Sequence, residues 1–227
     1  MVSDFKKYLN GMATAEITLK LAQKMESGSF ELQVFGIEMV YIPEDPFFIG
    51  DSIASQNAFR QGVYAQDTLT VLPFKIESES ALKMGENQDE LYSSDDDDWS
   101  PKADIPDEYP KGFAAFYSMK YEITQQQYVD FLNSLSQEQQ KQRTAILPTS
   151  ERGRLALISA SQNPTKSFRN GIVIKTPASS NSVAEYACNG NQNSVFNESD
   201  DGQNWACNYL NGEDILAYLD WAALRPM

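Results

Sequence analysis

The sequence predicts an α+β fold, and three observations predict it. Two stretches, near 124–135 and 211–222, carry apolar residues at helical spacing behind capping residues. Short apolar runs, alternating or continuous, lie between Gly, Pro, Asn and Asp turn signals and read as strands. Neither an internal repeat nor a coiled-coil heptad is present.

Taken in order, residues 14–21 place Ala15, Ile17, Leu19 and Leu21 on one face and Thr14, Glu16, Thr18 and Lys20 on the other. That alternation predicts a half-buried strand. Ser27-Gly28 marks a turn, and Phe30, Leu32 and Val34 predict a second strand over 29–35. Residues 1–36 thus read as a β-rich segment, a hairpin or the remnant of a β-sandwich module, ahead of a larger unit over 37–227. Ile37 to Ile42 is a near-continuous apolar run ending at Pro43, which predicts a buried strand. Asp45-Pro46 and Gly50-Asp51 bracket a short strand, Phe47-Phe48-Ile49. Residues 52–74 read as irregular. Residues 83–112 read as a solvated loop around Asp95-Asp96-Asp97-Asp98, four adjacent carboxylates without the alternation that lets ligands converge on calcium.

Ala114 to Ile123 predicts a strand carrying Phe116, Tyr117, Met119 and Tyr121. Thr124 and Gln127 have capping-box spacing, and Tyr128, Phe131, Leu132 and Leu135 form one helical stripe behind them. Tyr121, Tyr128 and Phe131 are expected in the core. Gln137 to Arg143 extends the helix as a glutamine-rich tail, and Ile172 to Ile174 is a short strand after Asn170-Gly171. Residues 176–204 show no useful period. Asn211 caps the last helix with Asp214 at its third position, and Ile215, Tyr218, Leu219 and Ala222 form its stripe. Trp221 is expected in the core or as a plug.

The charge excludes several functions. The 227 residues carry a net charge of −14, with a pI near 4.4, which disfavours nucleic acid and anionic membrane surfaces. Histidine is absent, so no Ser-His or Cys-His nucleophile pair and no histidine metal site can form within the chain. No apolar run approaches the ~18 residues of a membrane span. The first residues lack the apolar region of a signal peptide. That leaves a cytoplasmic protein or an N-terminus that is not the natural one.

Two places carry candidate chemistry. Cys188 and Cys207 are either two free thiols or one disulfide, worth about 3 kcal/mol. Asn189, Asn191 and Asn193, with Asn197, Asp200 and Asp201 behind them, have the alternation of a calcium loop, though most of the ligands would be neutral. The alternative is a flexible polar loop. Asn197-Glu198-Ser199 matches a glycosylation sequon.

Three segments, in order, carry a resemblance: Met39 to Asp51; Phe116 to Thr124 with Gln127-Tyr128 and Phe131-Leu132-Asn133; and Ala206 to Asp214 with Ala217-Tyr218, Trp221-Ala222 and Leu224-Arg225-Pro226. Over roughly 37–227 the chain resembles the formylglycine-generating enzyme, or sulfatase-modifying factor, family. The resemblance implies a C-type-lectin-like α+β fold of which this chain would hold the N-terminal part, incomplete at the C-terminus. The chain departs from the pattern at Glu44-Asp45 in place of Gly-Gly, at Leu210-Asn211-Gly212 in place of a tryptophan, and at Leu219 in place of a frequent cysteine. No position matches the copper-binding cysteine pair of the enzymes, so no catalytic residue carries over. Tyr109-Pro110-Lys111-Gly112-Phe113 is similar to a stretch of non-catalytic surface members from Bacteroidetes-type bacteria. The resemblance therefore implies a non-catalytic binding or scaffold module of a secreted or cell-envelope protein. Its partner would be a protein or glycan, and the rest of the fold would be supplied in cis or in trans. Two alternatives are a copper-dependent formylglycine-generating oxidase with its cysteines beyond this chain, and a structural part of a secretion or gliding assembly.

Overall fold

The computed structural model describes residues 33–51, 59–64, 71–93, 103–158 and 169–226. The chain divides between Gly36 and Ile37 into two units. Of the first, only residues 33–36 are described; they are exposed and have no regular secondary structure. The strand expected over 14–21 and the start of that over 29–35 lie outside the described residues, as does the aspartate run at 95–98.

The second unit is mixed α+β. Its described elements are β1 (Met39–Ile42), β2 (Phe47–Ile49), β3 (Phe59–Gln61), β4 (Phe74–Ile76), β5 (Leu91–Ser93), β6 (Phe116–Met119), α1 (Gln125–Ser134), α2 (Gln137–Arg143), β7 (Ile172–Thr176), β8 (Glu185–Cys188) and α3 (Gly212–Trp221). The strands form two-stranded antiparallel pairs: β1 with β6, β2 with β4, β3 with β5, and β7 with β8.

The main core follows from α1. Thr124 Oγ1 accepts from the Gln127 amide at 3.2 Å, and Gln127 Oε1 accepts from the Thr124 amide at 2.9 Å. This reciprocal box starts the helix. Tyr128, Phe131 and Leu132 then bury against Ile172, Ile174, Tyr186 and Tyr218. Each such side chain contributes about 1.5–3 kcal/mol by leaving water. Tyr218 and Trp221 of α3 pack their rings on Phe131 at 5.8 and 5.6 Å. Ile215 and Leu216 of the same helix stay exposed, at 40% and 54%. Ile215, expected in the apolar stripe, therefore lies outside the packed face.

The glutamine-rich tail is a helix of its own. Leu135 ends α1, and Ser136 opens α2 with a second box on Gln139. Arg143 at the end of α2 reaches Asp214 at the start of α3, Nη1 to Oδ1 3.1 Å. The pair is largely buried, and Asp214 also accepts from the Asn211 amide at 3.1 Å. A carboxylate at a helix N-terminus is favoured by the helix dipole, so one side chain both caps α3 and ties α2 to it.

The outer edge of β8 is closed by carboxamides. Gln140 donates to the Ala184 carbonyl at 2.9 Å and accepts from its amide at 3.0 Å. Asn133 does the same to Tyr186, and Asn197 Oδ1 accepts from the Cys188 amide at 3.0 Å. The backbone amide of Asn197 donates to the Cys188 carbonyl. On the other side of the pair, β7 is covered by residues 153–156 through backbone bonds at Gly153, Arg154, Ala156, Ile172 and Ile174.

A second, smaller core gathers Phe74, Ile76 and Leu91 with Phe47, Ile49, Leu82, Met84, Ile105 and Phe113. This corrects in part the expectation of a solvated loop over 83–112: residues 94–102 lie outside the described residues and most of the rest are exposed, but Met84, Leu91 and Ile105 pack inward. Leu82 pairs with Ile105 and Met84 with Leu91, so apolar residues spaced through the acidic stretch fold it back on β4. Glu79 locks the return: its carboxylate accepts from the Lys111 amide at 2.6 Å and the Ala114 amide at 2.8 Å. Lys111 Nζ donates to the Glu79 and Pro106 carbonyls. The Pro110-Lys111-Gly112-Phe113 stretch is thereby a structural clasp. At the Gly50 turn φ is +96°, and a Cβ there would fall 1.8 Å from the Phe59 carbonyl oxygen, so only glycine fits.

Candidate functional site

The β1–β6 ribbon places two exposed tyrosines side by side, among several large apolar side chains that the described residues leave in water. Its register pairs Met39 with Met119, Val40 with Ser118, Tyr41 with Tyr117 and Ile42 with Phe116. Alternation puts the Met39–Met119 and Tyr41–Tyr117 pairs on one face. Tyr41 is 54% and Tyr117 66% exposed, with ring centroids 5.3 Å apart and ring planes 55° apart. Val40 on the opposite face is 38% exposed. The strand expected as buried over 37–42 is thus a ribbon strand over 39–42, because its partner is a single strand and no described layer covers both faces. Tyr121, expected in the core, is also exposed, at 61%. It lies past the end of β6, and Lys120 places its ammonium 5.1 Å from the ring centroid while pairing with Glu38 at 2.6 Å.

The asparagine alternation serves the backbone. Asn191 Oδ1 accepts from the Asn193 amide at 3.0 Å, and Asn193 Oδ1 accepts from the Val195 amide at 2.7 Å. Gln192 and Ser194 between them sit at φ 61° and 67°. These are successive Asx turns. Asp201 is fully buried and accepts from the Glu198 amide at 2.8 Å and the Asn191 amide at 3.4 Å. Asp200 and Glu198 receive the Asn191 side-chain amide, at 3.0 and 3.4 Å. The oxygens that would ligate calcium at 191, 193 and 201 already accept from the chain itself. Asn189 is buried, and its Oδ1 has no hydrogen-bond partner. Among the described residues no three carboxylate or thiol side chains converge to hold a metal ion. Asn197 of the sequon is exposed, and its side-chain oxygen is the one that holds Cys188.

Cys188 and Cys207 are free thiols. Cys188 is fully buried at the end of β8, and Cys207 is half-buried beside the same core. Cys207 Sγ receives the Asn170 side-chain amide at 3.9 Å. Burial pushes both thiols up to about 12, and nearby carboxylates add to the effect. A copper-binding pair needs accessible thiolates. In this structure Cys188 is buried and Cys207 half-buried, and neither is bonded to the other.

Sequence reasoning found α1, α3 and their caps, and it placed Tyr41 and Tyr117 on the right strands, but not Tyr121, which lies past the end of β6. It missed that among the described residues those strands pair only with each other. In comparisons with known proteins, no family model, no curated protein and no solved structure matches this chain. No described helix is long and apolar enough to cross a membrane.

Proposed function

We propose that residues 37–227 act as a non-catalytic binding or scaffold module of a bacterial secreted or surface protein, with a fold of the sulfatase-modifying-factor, C-type-lectin-like kind. The observation that carries the binding role is the Tyr41–Tyr117 pair. Two neighbouring tyrosines more than half exposed on a twisted ribbon, flanked by two methionines, cost solubility and add little to folding. Tyrosine presents a rigid, amphipathic ring with few rotamers to freeze, which suits recognition.

The test is binding to glycan and peptide arrays, with the wild-type protein beside a Tyr41→Ala, Tyr117→Ala double variant. Spots bound by the wild type and lost in the variant support the module. An array pattern that the double variant reproduces in full removes the ribbon as its binding surface.

A further inference from the structure

We propose that the tyrosine face of the β1–β6 ribbon receives an extended, arginine-bearing segment of a partner protein. This rests on the binding-module reading and adds the partner's chemistry. Three observations carry it.

The first is local charge. The described charged residues flanking the ribbon in sequence are Glu38, Glu44, Asp45 and Glu122 against the single Lys120. Lys120 is itself engaged by Glu38 and by the Tyr121 ring. A cationic partner therefore meets an excess of carboxylates, within a chain of net charge −14.

The second is how this protein treats its other rings. Arg60 lies 5.3 Å from the Tyr92 centroid and Arg152 lies 4.6 Å from that of Phe196. With Lys120 over Tyr121, three described aromatic faces already carry the chain's own cations. Tyr41 and Tyr117 contact each other instead. Their faces are electron-rich and open, the arrangement that attracts a guanidinium.

The third is backbone geometry. The β8 edge is shut by Gln140, Asn133 and Asn197. The ribbon has strand backbone, and no such carboxamide closure is found among the described residues. An extended segment laid along it can pair main chain to main chain while alternate side chains fall on the tyrosine and methionine face.

The probe is a fluorescent peptide of alternating arginine and valine, with an alternating glutamate and valine peptide as its counterpart. Anisotropy is read at low and at physiological salt. An acidic chain attracts any polycation, so the deciding readout is dependence on the tyrosines, whose removal changes no charge. The expected result is binding of the arginine peptide but not the glutamate one, weakened roughly tenfold in the Tyr41→Ala, Tyr117→Ala variant. Tyr117→Leu, which removes one aromatic face and again changes no charge, weakens it as well and serves if the double variant folds poorly. Equal affinity of wild type and variants for the arginine peptide overturns the proposal. So does tyrosine-dependent binding of a glycan array without the peptide, which would leave the module standing with the wrong ligand. Tyrosine-dependent self-association in sedimentation velocity, without peptide binding, overturns it in favour of a second copy. Loss of every tyrosine-dependent signal removes both readings together.

Discussion

Asn133 holds both polar ends of Tyr186: its Nδ2 donates to the Tyr186 carbonyl at 3.1 Å, and its Oδ1 accepts from the Tyr186 amide at 2.8 Å. A carboxamide has one donor end and one acceptor end, so it imitates the peptide group of a neighbouring strand. Gln140 repeats the contact two residues earlier at Ala184; two residues later, at Cys188, Asn197 accepts through its side-chain oxygen and donates through its backbone amide. β8 alternates, so its outward backbone groups recur every second residue, and each set has its own side-chain partner. An exposed strand edge is a template for association with other chains. Here that edge is finished by side chains.

Gln140 is fully buried and also donates to the Leu132 carbonyl at 3.1 Å. Gln140→Leu leaves the Ala184 amide and carbonyl without partners in the interior, while the Leu132 carbonyl keeps the Leu135 amide. We expect it to cost about 3 kcal/mol in urea unfolding. Asn133 is exposed, so water can replace part of its contact, and Asn133→Ala costs about 1 kcal/mol. Equal losses for the two variants would show that burial does not set the cost.

Two carboxylates give opposite pH signatures. The amides of Ala114 and Lys111 hold the Glu79 carboxyl below its ordinary value. Its contribution is present above the unfolded-state value and is lost as the pH falls through the folded one. Glu79→Gln therefore lowers stability at neutral pH and flattens the acid side of the profile. Asp130 is held above its ordinary value by desolvation, with the Gln126 side chain opposing. Its ionised form penalises the fold at neutral pH, and the penalty vanishes below the unfolded-state value. Asp130→Asn keeps an acceptor for Gln126 and raises the neutral-pH melting temperature. Thermal melts from pH 3 to 8 separate the two, and both differences from wild type close in acid.

The thiols should be slow to react. With both pushed up to about 12, little thiolate exists at pH 8. A disulfide reagent labels native protein far more slowly than denatured protein. Cys207, the less buried of the two, reacts first, as peptide mapping after a timed quench would show. Fast labelling of Cys188 in native protein would mean that the end of β8 opens.

Calcium should have no stabilising effect through the asparagine loop. Asn191 and Asn193 direct their oxygens at backbone amides, and Asp201 does the same with both of its own. Melting temperatures in millimolar calcium and in chelator are expected to coincide. A rise with calcium that is lost in Asp201→Asn would show that these turns rearrange around an ion.

The helices were legible because their signals are local. Thr124 with Gln127 and Asn211 with Asp214 fix the helix starts within four residues. Half of the strands were legible as well: β1, β2, β6 and β7 fall on runs that read as strands, whereas β3, β4, β5 and β8 did not show. β3, β4 and β5 are three residues each, too few to show a period. β8 hides in an Asn-, Ser- and Gly-rich stretch, and its partners Asn133 and Gln140 read simply as helix surface. Exposure of the candidate site was illegible for a related reason. Tyr41 and Tyr117 look like interior residues of a strand, yet among the described residues their sheet has two strands and both rings are exposed. The asparagine alternation was ambiguous at root, since the same spacing serves an ion or a run of turns.

Carboxamides do not titrate, and this bears on the protein in mild acid. Near pH 4.4 the net charge vanishes, and with it the mutual repulsion that keeps molecules apart. A protein relying on ionised glutamates to blunt its strand edges meets that pH with its guards changing state. The seam along β8 stays fastened there, since Gln140, Asn133 and Asn197 keep the same donors and acceptors at every pH. Precipitation at the isoelectric point, where it occurs, should then start from the tyrosine ribbon, the strand pair finished by rings instead of amides.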